Sequence, residues 1–192
     1  MFPELARDVP ELETERLLLR APGYADLKDI FEYASDPEVA LHTLWEPHQD
    51  LRDTRQFLDF LFDQRRSGLS IVWAIVPKAE GRVVGTVGLA NWAHHHSRAE
   101  LGFAIARRCW NRGYTSESVA AVLRHAFQEL CLNRVEAFCK IENGASARVL
   151  EKSGMRFEGI LRQREFIKGR YEDLKLFAIL REEYSTSVYR GA

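Results

Sequence analysis

The sequence is poor in cysteine and lacks both a long apolar run and a surplus of basic residues. It has only three cysteines and no CxxC spacing, so we expect neither a disulfide framework nor a zinc site, and a reducing cytoplasm fits. No segment approaches the roughly 20 apolar residues that span a bilayer. Lys and Arg total 27 against 28 Asp and Glu, so no basic excess exists to neutralise nucleic-acid phosphates. We expect no membrane and no nucleic-acid partner.

What is present is the composition of a folded globular chain. Of its 192 residues, 46% are hydrophobic and 29% are charged, which allows one sizeable core. No linker, repeat or low-complexity tract divides the sequence. We therefore predict a single domain over residues 1–192.

Hydrophobic periodicity predicts a mixed order of strands and helices. Helical spacing marks residues 25–34, 53–66, a long stretch from 115 onward, and 143–153. Strand patterns mark residues 16–21, 70–77, 83–92, 98–105, 134–140, 155–164 and 171–180. The second and third strands flank a turn at 78–81 and form a hairpin, and Thr115 and Ser116 are suitable N-cap residues for the long helix. This order predicts an α/β fold, a mixed sheet with helices on both faces.

A basic loop between a strand and the long helix is the first candidate binding site. A helix N-terminus offers free backbone N–H groups and the positive end of its dipole, which together favour phosphate. Gly113 allows close approach of the backbone, and Arg107, Arg108 and Arg112 add positive charge. Neither GxGxxG nor GxxxxGK[ST] occurs, so the loop is neither a dinucleotide fingerprint nor a Walker loop. An ordinary capped, solvated basic loop is the alternative interpretation.

The segment AELGFAIARRCWNRGYTSES, residues 99–118, resembles the coenzyme A motif of the GNAT superfamily. Trp110 stands at the first position of the motif, Gly113 at its glycine and Thr115 at its last small residue. The branch that acetylates ribosomal-protein N-termini often carries Trp-Gly-x-Gly here, and Asn111 replaces the first glycine of that version.

Three further segments resemble the same branch in the same order. IENGASARVLEKSGMRFEG, residues 141–159, is similar to its Asn-x-x-Ser segment, with Asn143 and Ser146 on the functional positions. ETERLLLR and YEDLKLFAILREEY are similar to its opening and closing strands. The resemblance covers about Leu12 to Tyr184, which we take as the core of the domain.

The resemblance implies the GNAT acyl-CoA N-acyltransferase fold, with a mostly antiparallel sheet, and acetyl-CoA as co-substrate. The strand at 100–105 should separate from that at 134–140, and the pantetheine arm should pair with backbone near Phe103 and Ile105. Asn143 should contact that arm. The loop that should cradle the pyrophosphate comprises Arg107, Arg108, Trp110, Asn111, Arg112, Gly113, Tyr114 and Thr115.

Three residues are candidates for catalysis. A protonated amine cannot attack a thioester, so a carboxylate that removes its proton is useful. The resemblance places Glu165 in that role, and an exposed carboxylate at a strand end is its structural alternative. Glu100 is the competing base, or a residue that orients the substrate ammonium. Ser146 should lie near the thioester sulfur and assist the departing thiolate, although a helix serine satisfying a backbone group is the alternative.

The histidines at 94–96 suggest a metal site, but adjacent side chains diverge and no other ligand stands at a zinc spacing. We therefore interpret them as a polar loop and predict no metal.

The resemblance thus implies an N-acetyltransferase that works by direct attack in a ternary complex. A protein or peptide N-terminal α-amine is the preferred acceptor. A small-molecule amine such as an antibiotic or a polyamine is the alternative, as is a non-catalytic coenzyme A sensor. The identity of the acceptor and the choice between monomer and homodimer stay open.

Overall fold

An eight-stranded sheet runs through the part of the chain that the structure, a computed structural model, describes: residues 9–184. The spatial order is β1-β2-β3-β4-β5-β6-β8-β7, and only β5 and β6 pair in parallel. This confirms the α/β class and the mostly antiparallel sheet. The strands are β1 (Leu12–Glu13), β2 (Leu17–Arg20), β3 (Ile71–Pro77), β4 (Gly85–Ala93), β5 (Arg98–Ile105), β6 (Arg134–Lys140), β7 (Arg156–Ile167) and β8 (Arg170–Leu180).

Helices pack on both faces of this sheet. The Trp73 ring on β3 meets His125 of a helix on one face, at 5.6 Å between ring centroids. Its neighbour Val72 faces the other side, where it lines a cleft with Phe57 and Leu61 of a second helix. No helix within residues 9–184 is long and apolar enough to cross a bilayer. The helices are α1 (Leu27–Ala34), α2 (Pro37–Ala40), α3 (Leu51–Arg66), α4 (Tyr114–Gln128) and α5 (Gly144–Lys152).

The predicted elements are present, with differences at their ends. The prediction missed the two-residue strand β1 and the single turn α2, which are too short to show a period. The predicted capping of α4 was wrong. The helix begins at Tyr114 and its N-cap is Gly113, in the left-handed region with φ 79°. Thr115 and Ser116 therefore lie within the first turn of the helix. Gly113 can precede that turn because a glycine adopts the left-handed conformation without strain.

The parallel pairing of β5 and β6 is short. It joins Ala99 to Val135 and two flanking pairs, and it stops at Glu100 and Glu136. Glu136 is buried and accepts a hydrogen bond from Arg134 Nε at 2.7 Å. Its carboxylate also lies 3.3 Å from Arg98 Nη1 on the neighbouring strand. These charges hold the strands together at one end of the sheet. Beyond them the strands separate, as the resemblance implied.

A buried ion pair ties the first helical segment to β2. Arg20 donates to both carboxylate oxygens of Asp26, at 2.7 and 2.8 Å, and the Gly23 amide donates a third bond at 2.9 Å. Burial alone raises the pKa of Asp26, but these hydrogen bonds outweigh it and the pKa lies below its usual value. The ionised form is therefore bound more tightly in the folded state than in the unfolded chain.

Asp26→Ala should lower the free energy of unfolding by about 3 kcal/mol at pH 7, because it leaves Arg20 without its partner. Since the folded-state pKa is depressed, this stabilisation is present above the unfolded value of about 3.9 and is lost as pH falls through the folded value. Denaturant unfolding at pH 7 and at pH 3 measures the difference. Asp63→Ala, which breaks an exposed pair with Arg66, should cost under about 1 kcal/mol. Equal losses in the two variants would contradict the assignment.

Candidate active site

A cleft of about 1200 Å³ passes through the opening between β5 and β6. Its walls come from α1 and the loop after it, from the central strands, from the loop after β5 and from α5. Ten of the predicted site residues line it: Glu100, Phe103, Ile105, Trp110, Asn111, Gly113, Thr115, Asn143, Ser146 and Glu165.

The edge of β5 presents free backbone groups to this opening. The Ala106 amide donates to the Val84 carbonyl at 2.7 Å, so Ala106 bonds towards the β4 side. Because hydrogen-bonding directions alternate along an antiparallel strand, the backbone groups of Phe103 and Ile105 point the other way, into the opening. Trp110 Nε1 already donates to the Ile105 carbonyl at 3.1 Å. An extended arm with amide groups fits along this edge.

The loop from Arg107 to Gly113 has the shape of an anion cradle. A turn of 3-10 helix (Arg107–Cys109) leads to Asn111 at φ 60° and then to Gly113 at φ 79°. Asparagine enters the left-handed region more readily than other non-glycine residues. Asn111 therefore adopts a left-handed conformation of the kind that glycine enters most readily. Gly113 has no side chain to cap α4, which leaves first-turn N–H groups available to an anion.

The sequence analysis missed the residue that supports this loop, Arg16, which immediately precedes β2. Its Nη1 donates to the Arg112 carbonyl at 2.9 Å, and its guanidinium lies over the Tyr114 ring at 4.9 Å. Glu117 accepts from Arg16 Nε at 2.7 Å and from the Thr14 hydroxyl at 2.6 Å. Burial raises the pKa of Glu117, but these bonds lower it below its usual value. Arg16 lies about 100 residues from the loop, so no local pattern could reveal the contact.

The three loop arginines are paired with carboxylates outside the cleft lining. Arg107 Nε lies 2.9 Å from Asp36, while Arg108 contacts Glu32 at 3.1 Å and Glu80 at 2.5 Å. Arg112 lies 4.0 Å from Glu80. The hydrogen bond to Glu80 raises the pKa of Arg108 above its usual value. These cations brace the loop from behind, so the backbone N–H groups, with Trp110 and Asn111, form its inner surface.

Helix α5 brings two predicted residues to the opposite wall. Asn143 is its N-cap, and the side-chain oxygen accepts a hydrogen bond from the Ser146 amide at 3.0 Å. The same bond leaves the Asn143 amide nitrogen for a carbonyl in the cleft, since an amide carries both donors and acceptors. The Ser146 side chain is half-buried in the first turn of the helix.

Both candidate bases line the cleft. Glu165 on β7 is half-exposed and pairs with Arg164 Nη1 at 2.6 Å. Glu100 accepts from the Asn91 side-chain amide at 2.8 Å. Asn91 has φ 48° and sits where the register of β4 and β5 shifts between Ala90 and Ala93. That bulge aims the amide at Glu100, and the sequence prediction missed it. The geometry admits either carboxylate as the base.

Two lysines tie the end of α2 to the far half of the sheet. Lys168 Nζ donates to the Ala40 carbonyl at 2.6 Å. Lys140 is buried, and its Nζ pairs with the Glu172 carboxylate at 3.1 Å. The same Nζ donates to the Leu41 carbonyl at 3.4 Å. Burial lowers the pKa of Lys168 below its usual value. These contacts bridge the opened sheet and enclose one end of the cleft.

The two cysteines of the cleft and the histidine run at 94–96 add no reactive thiol and no metal cluster to the site. Cys109 and Cys139 line the cleft, and burial raises the pKa of both thiols, which keeps them protonated near neutral pH. His94 stacks on Trp92 at 5.0 Å and contacts the Gly68 carbonyl. Residues 9–184 contain no cluster of three or more groups that could hold a metal ion.

Comparison with known proteins places the chain in one family. A family model for an acetyltransferase (GNAT) domain matches residues 16–156. An uncharacterized N-acetyltransferase, p20, of Bacillus licheniformis is 34% identical over 174 residues, 91% of this chain and 98% of the relative. A GNAT-family acetyltransferase structure from Bacillus anthracis has a TM-score of 0.80 at 29% identity, covering 90% of this chain and 99% of that one. The chain belongs to the GNAT acetyltransferase family and is an acetyl-CoA-dependent acyltransferase.

Relatives with named acceptors differ from one another. A spermidine N(1)-acetyltransferase of Vibrio cholerae is 25% identical over 169 residues, covering 88% of this chain and 95% of the relative. A ribosomal-protein-serine acetyltransferase of Escherichia coli is 27% identical over 99 residues, 52% of this chain and 55% of the relative. The family predicted from the motifs is thus confirmed, while the relatives divide between two kinds of acceptor.

Gly113→Val should abolish the rise in melting temperature that acetyl-CoA produces by binding the folded state. A Cβ at Gly113 would lie 3.2 Å from Arg16 Nη2, and β-branching would displace the backbone from its left-handed conformation. Gly169→Val is the matched control, because its φ of 81° imposes a similar strain with no atom within 4 Å of the new Cβ. Thermal melts with and without acetyl-CoA compare them. A normal rise in melting temperature with acetyl-CoA in a folded Gly113→Val protein would contradict the assignment of this loop to the binding site.

Proposed function

We propose that this enzyme transfers an acetyl group from acetyl-CoA to a protein or peptide N-terminal α-amine by direct attack. The observation that carries the proposal is the convergence of three features in one cleft. These are the open edge of β5, the uncapped start of α4 and the polar groups Glu100, Glu165 and Ser146. The co-substrate supplies an acetyl group activated as a thioester.

The described residues fit such a co-substrate from both ends. First-turn N–H groups of α4 would hold the pyrophosphate. The backbone of Phe103 and Ile105, with the side chain of Asn143, would hold the pantetheine arm. Because this grip uses mostly backbone groups, it places the arm without competing for the carboxylates deeper in the cleft.

A carboxylate near the acceptor has to take one proton as the amine becomes a nucleophile. An α-amine has a pKa of about 8, so most of it is protonated at neutral pH and deprotonation demands less than for lysine. We assign the base to Glu165, directly or through water. Its carboxylate lies 2.6 Å from Arg164 Nη1 and lines the cleft. Glu100, held by Asn91, would orient the ammonium group before the proton leaves.

Ser146 would assist the leaving group. Its position in the first turn of α5, three residues after Asn143, would set the hydroxyl beside the path that the Asn143 side chain implies for the arm. A hydroxyl there donates to the sulfur as negative charge develops. A thiol with a pKa of about 8.5 leaves readily, so the required assistance is modest.

Direct transfer is favoured over an acyl-enzyme. The two cleft thiols, Cys109 and Cys139, are buried with raised pKa values. A protonated thiol is a poor nucleophile, and a covalent relay would need one of them to ionise. An amine bound beside the thioester needs no relay, because proximity alone lowers the barrier substantially.

A small-molecule amine is the second candidate acceptor, favoured by the similarity to a spermidine acetyltransferase. Release of free thiol from acetyl-CoA, measured across peptides, polyamines and other amines, separates the candidates. Coenzyme A binding with no thiol release across that panel would instead indicate a non-catalytic sensor.

Ser146→Ala should lower kcat by about 10- to 100-fold while leaving the affinity for acetyl-CoA nearly unchanged. The hydroxyl acts mainly as the thiolate forms, so its loss affects the transition state rather than the bound ground state. Ser153→Ala in the C-cap of the same helix, whose hydroxyl donates to the Val149 carbonyl, is the control for helix stability. Unchanged turnover in Ser146→Ala would make Ser146 a purely structural residue.

Glu165→Gln should reduce the rate most near neutral pH and progressively less as pH approaches the amine pKa of about 8, where free amine is abundant without help. Glu100→Gln should mainly raise the acceptor KM at all pH values, because it removes an ammonium contact. Full pH profiles of kcat/KM and kcat compare the two variants. An exchange of the two profiles would reassign the base to Glu100.

A further inference from the structure

The sheet face that forms the floor of the cleft carries small side chains on β4 and β5. Gly88 pairs directly with Gly102, and the next pair on the same face, towards the loop after β5, is Thr86 with Ala104. Directly paired residues share one face of an antiparallel sheet. On this face the two strands therefore present a shallow recess where larger residues would fill the cleft.

Gly88 and Gly102 differ in whether the surrounding structure would accommodate a side chain. A Cβ on Gly88 would lie 2.6 Å from the Ile71 carbonyl oxygen, so that position is closed by the neighbouring strand. A Cβ on Gly102 would meet no atom within 4 Å, and Gly102 has no positive φ that a side chain would avoid. Neither crowding nor strain requires glycine at 102. The space above it is open and belongs to the cleft.

Three aromatic rings form a wall of the same cleft. Trp45 and His48 lie 5.6 Å apart between ring centroids, and His48 and Phe57 lie 5.9 Å apart. All three rings line the cleft. Burial lowers the pKa of His48, although Asp53 acts in the opposite direction, so its ring is neutral near pH 7. The wall is uncharged and suits an apolar partner.

Glu100 stands at the edge of this recess. It is two residues before Gly102 on β5 and therefore projects from the same face. The Asn91 amide fixes one of its oxygens at 2.8 Å, which leaves the other for an ammonium group. A cation contact and an apolar recess thus lie side by side on one strand.

We propose that the acceptor is a primary amine whose adjacent carbon carries a large apolar group, preferably an aromatic ring. Glu100 contacts the ammonium, and the ring occupies the recess over Gly102 against Trp45, His48 and Phe57. The shared chemistry covers a peptide with a bulky first residue and a free arylalkylamine. This inference rests on the proposed function, since it specifies the acceptor of that transfer.

The test compares kcat/KM for two peptides that differ only in an N-terminal Phe or Gly, together with phenethylamine, ethylamine and spermidine. The wild-type enzyme should favour the Phe peptide at least tenfold over the Gly peptide, the discrimination that a few buried carbons provide. Gly102→Val fills the recess and should reduce that preference at least tenfold, with the KM for acetyl-CoA unchanged. A preference restricted to phenethylamine over ethylamine would assign the recess to free amines instead of peptide N-termini.

Gly23→Val is the matched control, because its new Cβ also meets no atom within 4 Å and Gly23 lies outside the cleft lining. It should keep the full preference for Phe. The inference is overturned if the wild-type enzyme discriminates neither between the Phe and Gly peptides nor between phenethylamine and ethylamine, or if spermidine is the best acceptor. Equal losses on both peptides in a Gly102→Val protein of normal melting temperature would also overturn it.

Failure of the proposed function gives a different result, namely no acetylation of any amine. Calorimetric titration of the two peptides into the coenzyme A complex then measures their affinities, which tests the recess without catalysis. Tighter binding of the Phe peptide that Gly102→Val removes would support the recess. Equal binding of both peptides would overturn it.

Discussion

The separation of β5 from β6 is the constraint on which the rest of the structure depends. Two parallel strands pair for only three residues and then part, which leaves backbone donors and acceptors of β5 without a strand partner. Buried backbone groups need partners, so this edge suits a ligand that carries amides of its own. The buried Glu136, held by Arg98 and Arg134, keeps the closed end together. Without that charge cluster the opening would have no fixed geometry.

The same opening explains why so many ion pairs surround the site without entering it. Arg16 supports the loop from Arg107 to Gly113 through the Arg112 carbonyl, and Arg107 and Arg108 pair with acidic residues. Lys140 and Lys168 attach the end of α2 to the half of the sheet that contains β6 and β8. Most of these pairs are partly exposed and each contributes little to stability. Their role is positional, because they fix the loop after β5 and the end of α2 to the elements beside them.

Chemically, the cleft combines a backbone cradle with carboxylates that have distinct surroundings. Glu100 is fixed by a neutral amide, while Glu165 is paired with an arginine and half-exposed. A fixed carboxylate suits orientation of a cation, and a solvent-accessible one suits release of a proton. The neighbouring thiols are kept protonated by burial, so two carboxylates and one serine carry the proposed chemistry.

Local sequence patterns were sufficient to predict much of the secondary structure of this protein. The limits of β5 and β6 agree with the prediction residue for residue, since β-branched and alternating apolar residues mark a strand without reference to its partners. Asn143 could be placed at a helix start for the same reason, because capping depends on adjacent residues, whereas the cap of α4 at Gly113 was predicted wrongly at Thr115 and Ser116. The family motifs then indicated acetyl-CoA. All of these signals lie within short windows of the chain.

Tertiary structure decided what pairs across long separations. The partners of Arg16, Arg107 and Arg108 come from distant elements, so the basic loop that suggested phosphate contacts from arginine turned out to be braced by carboxylates. The alignment of Gly88 with Gly102 depends on strand register, and the contact of Asn91 with Glu100 depends on a bulge. The size and polarity of the acceptor recess are properties of such pairings. A sequence states which residues exist, but register and packing determine which of them meet.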